Sequence, residues 1–222
     1  MDTSGNEEGT TTELGNTMNK VDLVQVGLRR SQVSLLKIES FEETTLQEPF
    51  NISINQLTYE KNEYTIADHA LATGSFAYEW LYFRMEFSTL DENSFAIRPM
   101  MELHHTSNEW TFSQVLFRKN AGTLLHANPL AGTLPLRFLT CQFRENWGSK
   151  AILILNLLSE LHDEHGTYSD NTSLGKGGVL YAGDSKAFAN FTDTTLLRNA
   201  ALYGGCFYVE YESDVHCTRC MI

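Results

Sequence analysis

The chain lacks a long hydrophobic run. Its longest apolar stretch, Ala151 to Leu158, is interrupted by Asn156 and is too short to span a bilayer. The first residues, Met1 to Gly5, are polar and acidic, without the basic and then apolar order of a signal peptide. These absences predict a soluble intracellular protein that does not bind a membrane.

Cysteine is also scarce, with four residues in a chain of 222. This density is far below that of disulfide-based folds, so we expect the thiols to be reduced. A chain of this length buries roughly 70% of its unfolded surface, so its stability requires neither a metal nor a disulfide. The length is compatible with one β-sandwich or barrel domain.

Basic residues are few: 16 Lys and Arg stand against 28 Asp and Glu, for a net charge of −12. The nearest approach to a basic patch is the pair Arg29-Arg30, which is typical of a solvated surface. A chain of this charge repels phosphate backbones. We therefore expect no charge-driven binding to nucleic acid.

Common catalytic motifs are missing as well. The chain has no Gly-x-Ser-x-Gly elbow, and Gly175–Gly178 lacks the spacing of a phosphate-binding loop. We find no internal repeat in the sequence. These observations predict a protein without a cofactor and without enzymatic activity.

The chain does contain a strong alternation of apolar and polar residues between Phe76 and Arg118. Successive side chains of a strand point to opposite faces, so the pattern predicts half-buried strands. Polar residues at 91–93 and 106–108 interrupt the alternation, and we interpret them as tight hairpin turns. The pattern therefore favours an antiparallel sheet.

The chain divides into an extended N-terminal arm (1–45), a body (46–216) and a C-terminal tail (217–222). Residues 1 to about 20 are rich in Gly, Thr, Ser, Asn and Glu and cannot repay their ordering entropy alone. The apolar residues at 21–26 and 33–38 could form short strands that lie on a neighbour. We expect a loop at 159–178 and a short helix within 188–202. Strands are predicted at 50–57, 76–88, 94–104, 110–118, 136–143, 150–158, 179–182 and 206–215. The continuous apolar run at 150–158 is also compatible with a short helix. These strands predict an all-β, antiparallel β-sandwich, most simply a jelly roll, with an immunoglobulin-like sandwich as the alternative.

A cluster of potential metal ligands occurs between Glu102 and Trp110. The spacing of His105 and Glu109 resembles the first motif of the cupins, which bind a metal inside a small β-barrel. The resemblance implies a metal site formed by His104, His105 and Glu109, completed by His126 or His162. The adjacent histidines and the missing glycine after Glu109 depart from the cupin motif, and the alternative is a polar hairpin without a metal.

Two further groups could bind a metal. Cys217 and Cys220 form a Cys-x-x-Cys pair, to which His216 or Cys206 could add a third ligand. The stretch from His162 to His165 combines two histidines with two carboxylates. The alternatives are a solvated tail and a solvated turn, respectively.

The layout of the chain resembles that of viral single jelly-roll capsid subunits, particularly those of picorna-like viruses. Three segments carry this resemblance: Leu46–Ile52 as the entry to the first strand, Tyr78–Phe87 as a long aromatic strand, and Phe207–Tyr211 as the closing strand. The resemblance implies a structural protein of the virion or host cytoplasm that assembles with itself or with related subunits. The alternatives are a metal-binding cupin-like barrel and a carbohydrate- or ligand-binding β-sandwich.

Overall fold

The computed structural model describes residues 20–30, 36–39, 50–64, 72–75, 81–95, 98–104, 109–129, 132–184 and 186–222. These residues form 27 β-strands and no helix. In chain order the strands are β1 (Lys20–Val24), β2 (Gly27–Arg29), β3 (Leu36–Glu39), β4 (Phe50–Asn55), β5 (Thr58–Glu60), β6 (Glu63–Tyr64), β7 (Ala72–Ser75), β8 (Leu81–Glu86), β9 (Thr89–Asp91), β10 (Ser94–Phe95), β11 (Met101–Leu103), β12 (Trp110–Ser113), β13 (Leu116–Arg118), β14 (Leu125–Ala127), β15 (Leu134–Leu139), β16 (Gln142–Arg144), β17 (Trp147–Gly148), β18 (Leu153–Asn156), β19 (Ser159–Glu164), β20 (Thr167–Ser169), β21 (Thr172–Lys176), β22 (Leu180–Gly183), β23 (Phe188–Thr192), β24 (Thr195–Leu197), β25 (Ala200–Tyr203), β26 (Phe207–Val209) and β27 (Asp214–Thr218).

Every strand pairing among the described residues is parallel. The first sheet has the order β1-β4-β8-β12-β15-β19-β23-β27, the second β2-β5-β9-β13-β16-β20-β24, and the third β26-β22-β18-β14-β11-β7-β3. Short pairings, β10-β6 and β17-β21-β25, form a fourth ladder between the second and third sheets. The chain visits these sheets in turn and stacks each coil on the previous one, which makes the fold a parallel β-solenoid.

The predicted antiparallel β-sandwich and jelly roll are therefore wrong. Alternation of apolar and polar residues is a property of a single strand and does not determine the direction of its partner. The polar residues Asp91-Glu92-Asn93, predicted to be a hairpin turn, form a corner of the solenoid instead. The predicted helix within 188–202 is β23, β24 and β25, and the predicted loop at 159–178 contains β19, β20 and β21.

The part of the predicted arm that the structure describes forms strands of the solenoid. Val21 to Val24 pair with Ile52 to Asn55 of β4, and β3 pairs with β7. Residues 1–19, 31–35 and 40–49 lie outside the described residues. Within the described part of the chain, no helix has the length and apolar character needed to cross a membrane.

Left-handed residues form two corners of each coil. The first corner joins the first and second sheets, and the second corner follows the second sheet. The φ values of these residues lie between 48° and 59°. The first corner contains Gln25, Gln56, Phe87, Gln114, Thr140, His165, Asp193 and Arg219, and the second contains Arg30, Lys61, Glu92, Lys119, Glu145, Asp170 and Arg198. In the corner residues from Gln25 to Asp193, the backbone N–H donates to the next coil, as from Phe87 to the carbonyl of Ser113 at 3.1 Å. The repeated conformation thus keeps the backbone hydrogen bonds of the ladder intact, which offsets the strain of a non-glycine residue in this region.

A ladder of asparagines, all buried except the partly buried Asn199, follows the second corner. Its members are Asn62, Asn93, Asn120, Asn146, Asn171 and Asn199. Each preceding side chain donates through Nδ2 to Oδ1 of the next asparagine, at 2.9–3.0 Å. The preceding backbone N–H donates to the same oxygen at 3.0–3.1 Å. These bonds satisfy polar groups that burial removes from water.

The core is a column of apolar side chains inside the coils. At its centre Phe143 stacks between Phe117 and Tyr168, with ring centroids 4.6 and 4.7 Å away. These rings belong to one register of the second sheet, which also includes Tyr59, Leu90 and Leu196. An asparagine of the ladder follows each of these residues by three positions. The expectation of no internal repeat is therefore wrong, because this pattern recurs at intervals of 25 to 31 residues.

Candidate functional site

An open groove of about 460 Å³ lies on the outer face of the first sheet. In β4, Ile52 and Ile54 point into the core, whereas Asn51 and Ser53 point outward. The groove crosses β1, β4, β8 and β12. Its lining is Asp22, Asn51, Ile52, Ser53, Tyr82, Phe83, Arg84, Glu109 and Thr111.

The groove presents one aromatic ring among charged and polar side chains. Tyr82 is 42% exposed. Arg84 pairs with Glu86, with Nη2 and Oε1 at 2.7 Å. Glu109 Oε1 accepts a hydrogen bond from Thr111 Oγ1 at 3.3 Å. The groove therefore offers donors, acceptors and a flat apolar ring to one ligand.

The parallel register repeats this surface along the solenoid. Ser53, Arg84 and Thr111 are direct neighbours across β4, β8 and β12. The same row continues to Arg137 and His162. Neighbouring strands of a sheet lie about 4.8 Å apart, so outward side chains recur at that spacing along the axis.

The structure separates residues that the cupin-like alternative assigns to one metal site. Glu109 lies in the groove of the first sheet, with its Oε1 3.5 Å from Arg137 Nη1. His104 instead follows β11 of the third sheet. His105 lies outside the described residues, and His162 is on the outer face of β19, near the ring of Phe188.

His104 belongs to a different cluster, centred on the buried Glu102. Glu102 Oε1 lies 3.5 Å from His104 Nε2 and 3.5 Å from His126 Nδ1. Its other oxygen, Oε2, lies 3.5 Å from Arg98 Nη1. The parallel pairing of β11 and β14 places Glu102 beside His126. Glu102 and His126 are 24 positions apart in the sequence, and only the stacking of coils brings them together.

This cluster fixes the hydrogen bonding of both imidazoles. The Nδ1 of His104 lies 3.0 Å from the carbonyl of Asn128, and Nε2 of His126 lies 3.0 Å from Nδ2 of Asn156. The hydrogen bond with Glu102 raises the pKa of His104, although partial burial opposes the shift. In the described part of the chain, no group of three or more His, Cys, Asp or Glu side chains is arranged to hold a metal ion. The cluster is therefore best described as a charged hydrogen-bond network.

The column of Glu102 and His126 continues along the outer face of the third sheet. The pairings of β14, β18, β22 and β26 align His126 with Ile154, Tyr181 and Tyr208. The Lys150 ammonium lies 3.7 Å from the centre of the Tyr181 ring, and Tyr181 Oη donates to Glu210 at 2.5 Å. Ala151, Ile154, Tyr181 and Tyr208 thus form a small apolar cluster outside the main core. Sequence reasoning missed this cluster, because its residues come from different coils.

Of the two other candidate metal groups, the stretch at 162–165 does not come together, and the group around Cys217 does so only in part. Of the stretch at 162–165, His162 points outward, Asp163 points into the core and His165 forms a corner. His216 lies on the outer face of β27, with its ring 5.4 Å from that of Phe188. In contrast, the Cys217 and Cys220 thiols meet at the last corner.

Comparisons of this chain with protein-family models, curated proteins and solved structures find no significant match. The predicted resemblances to capsid subunits and to cupins therefore gain no support from them. The chemistry of the groove is the remaining basis for a function.

Proposed function

We propose that the outer face of the first sheet binds a neutral glycan, with its chain running along the solenoid axis. The observation that carries the proposal is the groove itself. It combines the exposed ring of Tyr82 with amide, hydroxyl, carboxylate and guanidinium groups. A sugar presents the complementary surface, since it has an apolar C–H face and hydroxyls that both donate and accept.

The charge distribution favours a neutral ligand over an ionic one. The net charge of −12 repels a polyanion. Cationic ligands would meet Arg84 in the middle of the groove and Arg137 beside it. Because Arg84 and Arg137 already lie near Glu86 and Glu109, the groove offers polar groups without a strong field of one sign.

The fold favours an extended ligand. Solenoids use long surfaces built from equivalent positions of successive coils as binding faces. The row Ser53, Arg84 and Thr111 places outward side chains at about 4.8 Å intervals. A linear glycan can make similar contacts on each coil, so that weak contacts add together.

The capsid prediction depended on an antiparallel jelly-roll layout, and the parallel solenoid removes that basis. Assembly with other subunits stays a prediction. The cupin-like alternative also required a barrel, and the structure places His104 and Glu109 on different sheets. The carbohydrate-binding alternative is retained here, on a solenoid rather than on a sandwich.

Calorimetric titration of the full chain with soluble glucan, xylan, mannan and galactan oligosaccharides tests the proposal. We expect one of them to bind, with affinity that rises with oligosaccharide length. The change Tyr82→Ala should weaken binding at least tenfold. A matched control is Tyr211→Ala, since Tyr211 is 75% exposed and does not line the groove.

Three results would overturn the proposal. One is the absence of binding to every neutral glycan at millimolar concentration. Another is an equal loss of affinity in the Tyr82 and Tyr211 variants. The third is a preference for a charged polysaccharide over all neutral ones. Circular dichroism of each variant shows whether its fold is intact.

A further inference from the structure

The first corner of each coil has a constant local geometry. The last two residues of each first-sheet strand point inward and then outward; a left-handed residue follows, and the residue after it points inward again. In the last coil these positions are Cys217, Thr218, Arg219 and Cys220, with a φ of 52° at Arg219. The Cys-x-x-Cys spacing therefore coincides with the two inward positions of one corner.

An earlier coil shows how close these two positions lie. Asp163 and Gly166 occupy them in the coil of β19, on either side of the left-handed His165. A Cβ placed on Gly166 would lie 2.7 Å from Cγ of Asp163. In a disulfide the Cβ of one cysteine lies about 3 Å from the sulfur of the other, as the S–S and C–S bond lengths require. The two inward positions of a corner are therefore close enough for two cysteines to form a disulfide.

The last corner places both thiols within reach of a reagent. The Cys217 side chain contacts that of Cys220, and both thiols are reduced. Cys217 is exposed and Cys220 is partly buried, whereas Cys141 is fully buried. Cys206 is also nearby and partly buried, so it is the natural competitor for pairing.

We propose that Cys217 and Cys220 form a reversible disulfide across the last corner, by exchange with a small disulfide such as oxidised glutathione. One cysteine thiolate attacks a sulfur of the glutathione disulfide, which breaks that S–S bond and releases one glutathione thiolate. The second cysteine then loses its proton and attacks the mixed disulfide, which releases the second glutathione. The two cysteines supply two electrons, and their two protons end on the two glutathione thiols.

The surroundings of the pair predict a slow exchange. Burial and contact with Cys220 raise the pKa of Cys217 to about 12. Because only the thiolate attacks, the rate should be low at neutral pH and increase with pH. No stabilised thiolate favours the reduced form, so the disulfide should be hard to reduce once it has formed.

Trypsin provides a direct test, because it cleaves after Arg198 and Arg219 and so separates Cys220 from Cys217. The full chain is equilibrated with oxidised and reduced glutathione at pH 8, alkylated and digested without reduction. We expect mass spectrometry to find the peptide 220–222 linked to the peptide 199–219. Reduction before alkylation should release it.

Two variants identify the partner, since peptide 199–219 contains both Cys206 and Cys217. The link should persist in Cys206→Ser and vanish in Cys217→Ser. Failure of the link to form with excess oxidised glutathione would overturn the proposal. So would its loss in Cys206→Ser while it persists in Cys217→Ser. Alkylation of Cys141 only after unfolding confirms that each sample is folded.

Discussion

The backbone N–H and the side-chain amide of Asn93 both donate to one oxygen, Oδ1 of Asn120, at 3.0 and 2.9 Å. The Nδ2 of Asn120 in turn donates to the carbonyl of Leu90 at 2.8 Å and to Asn146 Oδ1 at 3.0 Å. One side chain thus satisfies groups on two neighbouring coils. The asparagine ladder therefore couples the coils along the inside of the second corner.

Replacing Asn120 by Ala should destabilise the protein by about 3–5 kcal/mol. The change leaves several buried polar groups without a partner, and each such group costs about 1–3 kcal/mol. Urea denaturation followed by circular dichroism measures the loss. Asn190→Ala is the control, since Asn190 lies on the outer face of β23 and should cost under about 1 kcal/mol. Equal losses in the two variants would contradict a special role of the ladder.

Replacing Phe143 by Ala should cost about 3–5 kcal/mol, because the ring is fully buried and stacked on both faces. Phe143→Leu should cost less, about 1–2 kcal/mol. Leucine already occupies the equivalent position at Leu90 and Leu196. Denaturation midpoints of the two variants give the comparison. A leucine variant as unstable as the alanine variant would argue against equivalent coils.

Asp163 should make the protein less stable as the pH rises. Burial raises its pKa from 3.8 to about 6, although hydrogen bonds from Thr194, Tyr168 and Gly166 oppose the shift. Because the pKa of Asp163 is higher in the folded state than in the unfolded state, its proton stabilises the fold. This stabilisation is complete below pH 4 and is lost between pH 4 and 6. The loss is about 3 kcal/mol.

The variant Asp163→Asn isolates this effect, since it cannot ionise. We expect the free energy of unfolding of the variant, relative to the natural chain, to increase from pH 4 to pH 7 by about 3 kcal/mol. Urea denaturation at several pH values measures the difference. A difference that does not change with pH would show that Asp163 does not titrate in this range.

Replacing Glu102 by Gln should lower the pKa of His104. Its hydrogen bond with Glu102 is the main cause of the raised pKa, and a neutral amide stabilises an imidazolium less. NMR titration of the histidine ring protons measures the change. Protonated His104 stabilises the fold below pH 6.5, and this stabilisation disappears as His104 loses its proton at higher pH. The variant should therefore also be less stable than the natural chain at acid pH. An unchanged titration of His104 would place the cause elsewhere.

The sequence predicts many of the strands but not their partners. The observed strands Phe50–Asn55, Leu81–Glu86 and Trp110–Ser113 lie within predicted spans, because burial of one face imposes period-two alternation. The repeat of an aromatic or leucine followed by Asn after three positions was available in the sequence, as in Phe117–Asn120 and Phe143–Asn146. The intervals between the copies of this repeat are unequal, so the repeat has no fixed period by which it could be recognised.

The candidate residues show the same division. Glu109 was singled out as a metal ligand of the cupin-like alternative, from its spacing to His105, whereas the structure places it in the groove. Its neighbours there, Asn51, Tyr82 and Arg84, come from other coils and have no special spacing in the sequence. Likewise, His104 meets Glu102 locally but meets His126 only through the pairing of β11 with β14.

The sequence by itself determined that the chain is rich in strands, that it is acidic and that its thiols are few. These properties depend on composition and on neighbours one or two residues apart. Tertiary structure decided the parallel direction of the sheets, the asparagine ladder, the groove and the meeting of Cys217 with Cys220 inside a corner. Each of these depends on contacts between coils or on the left-handed turn between strands, which period-two alternation along one strand does not encode.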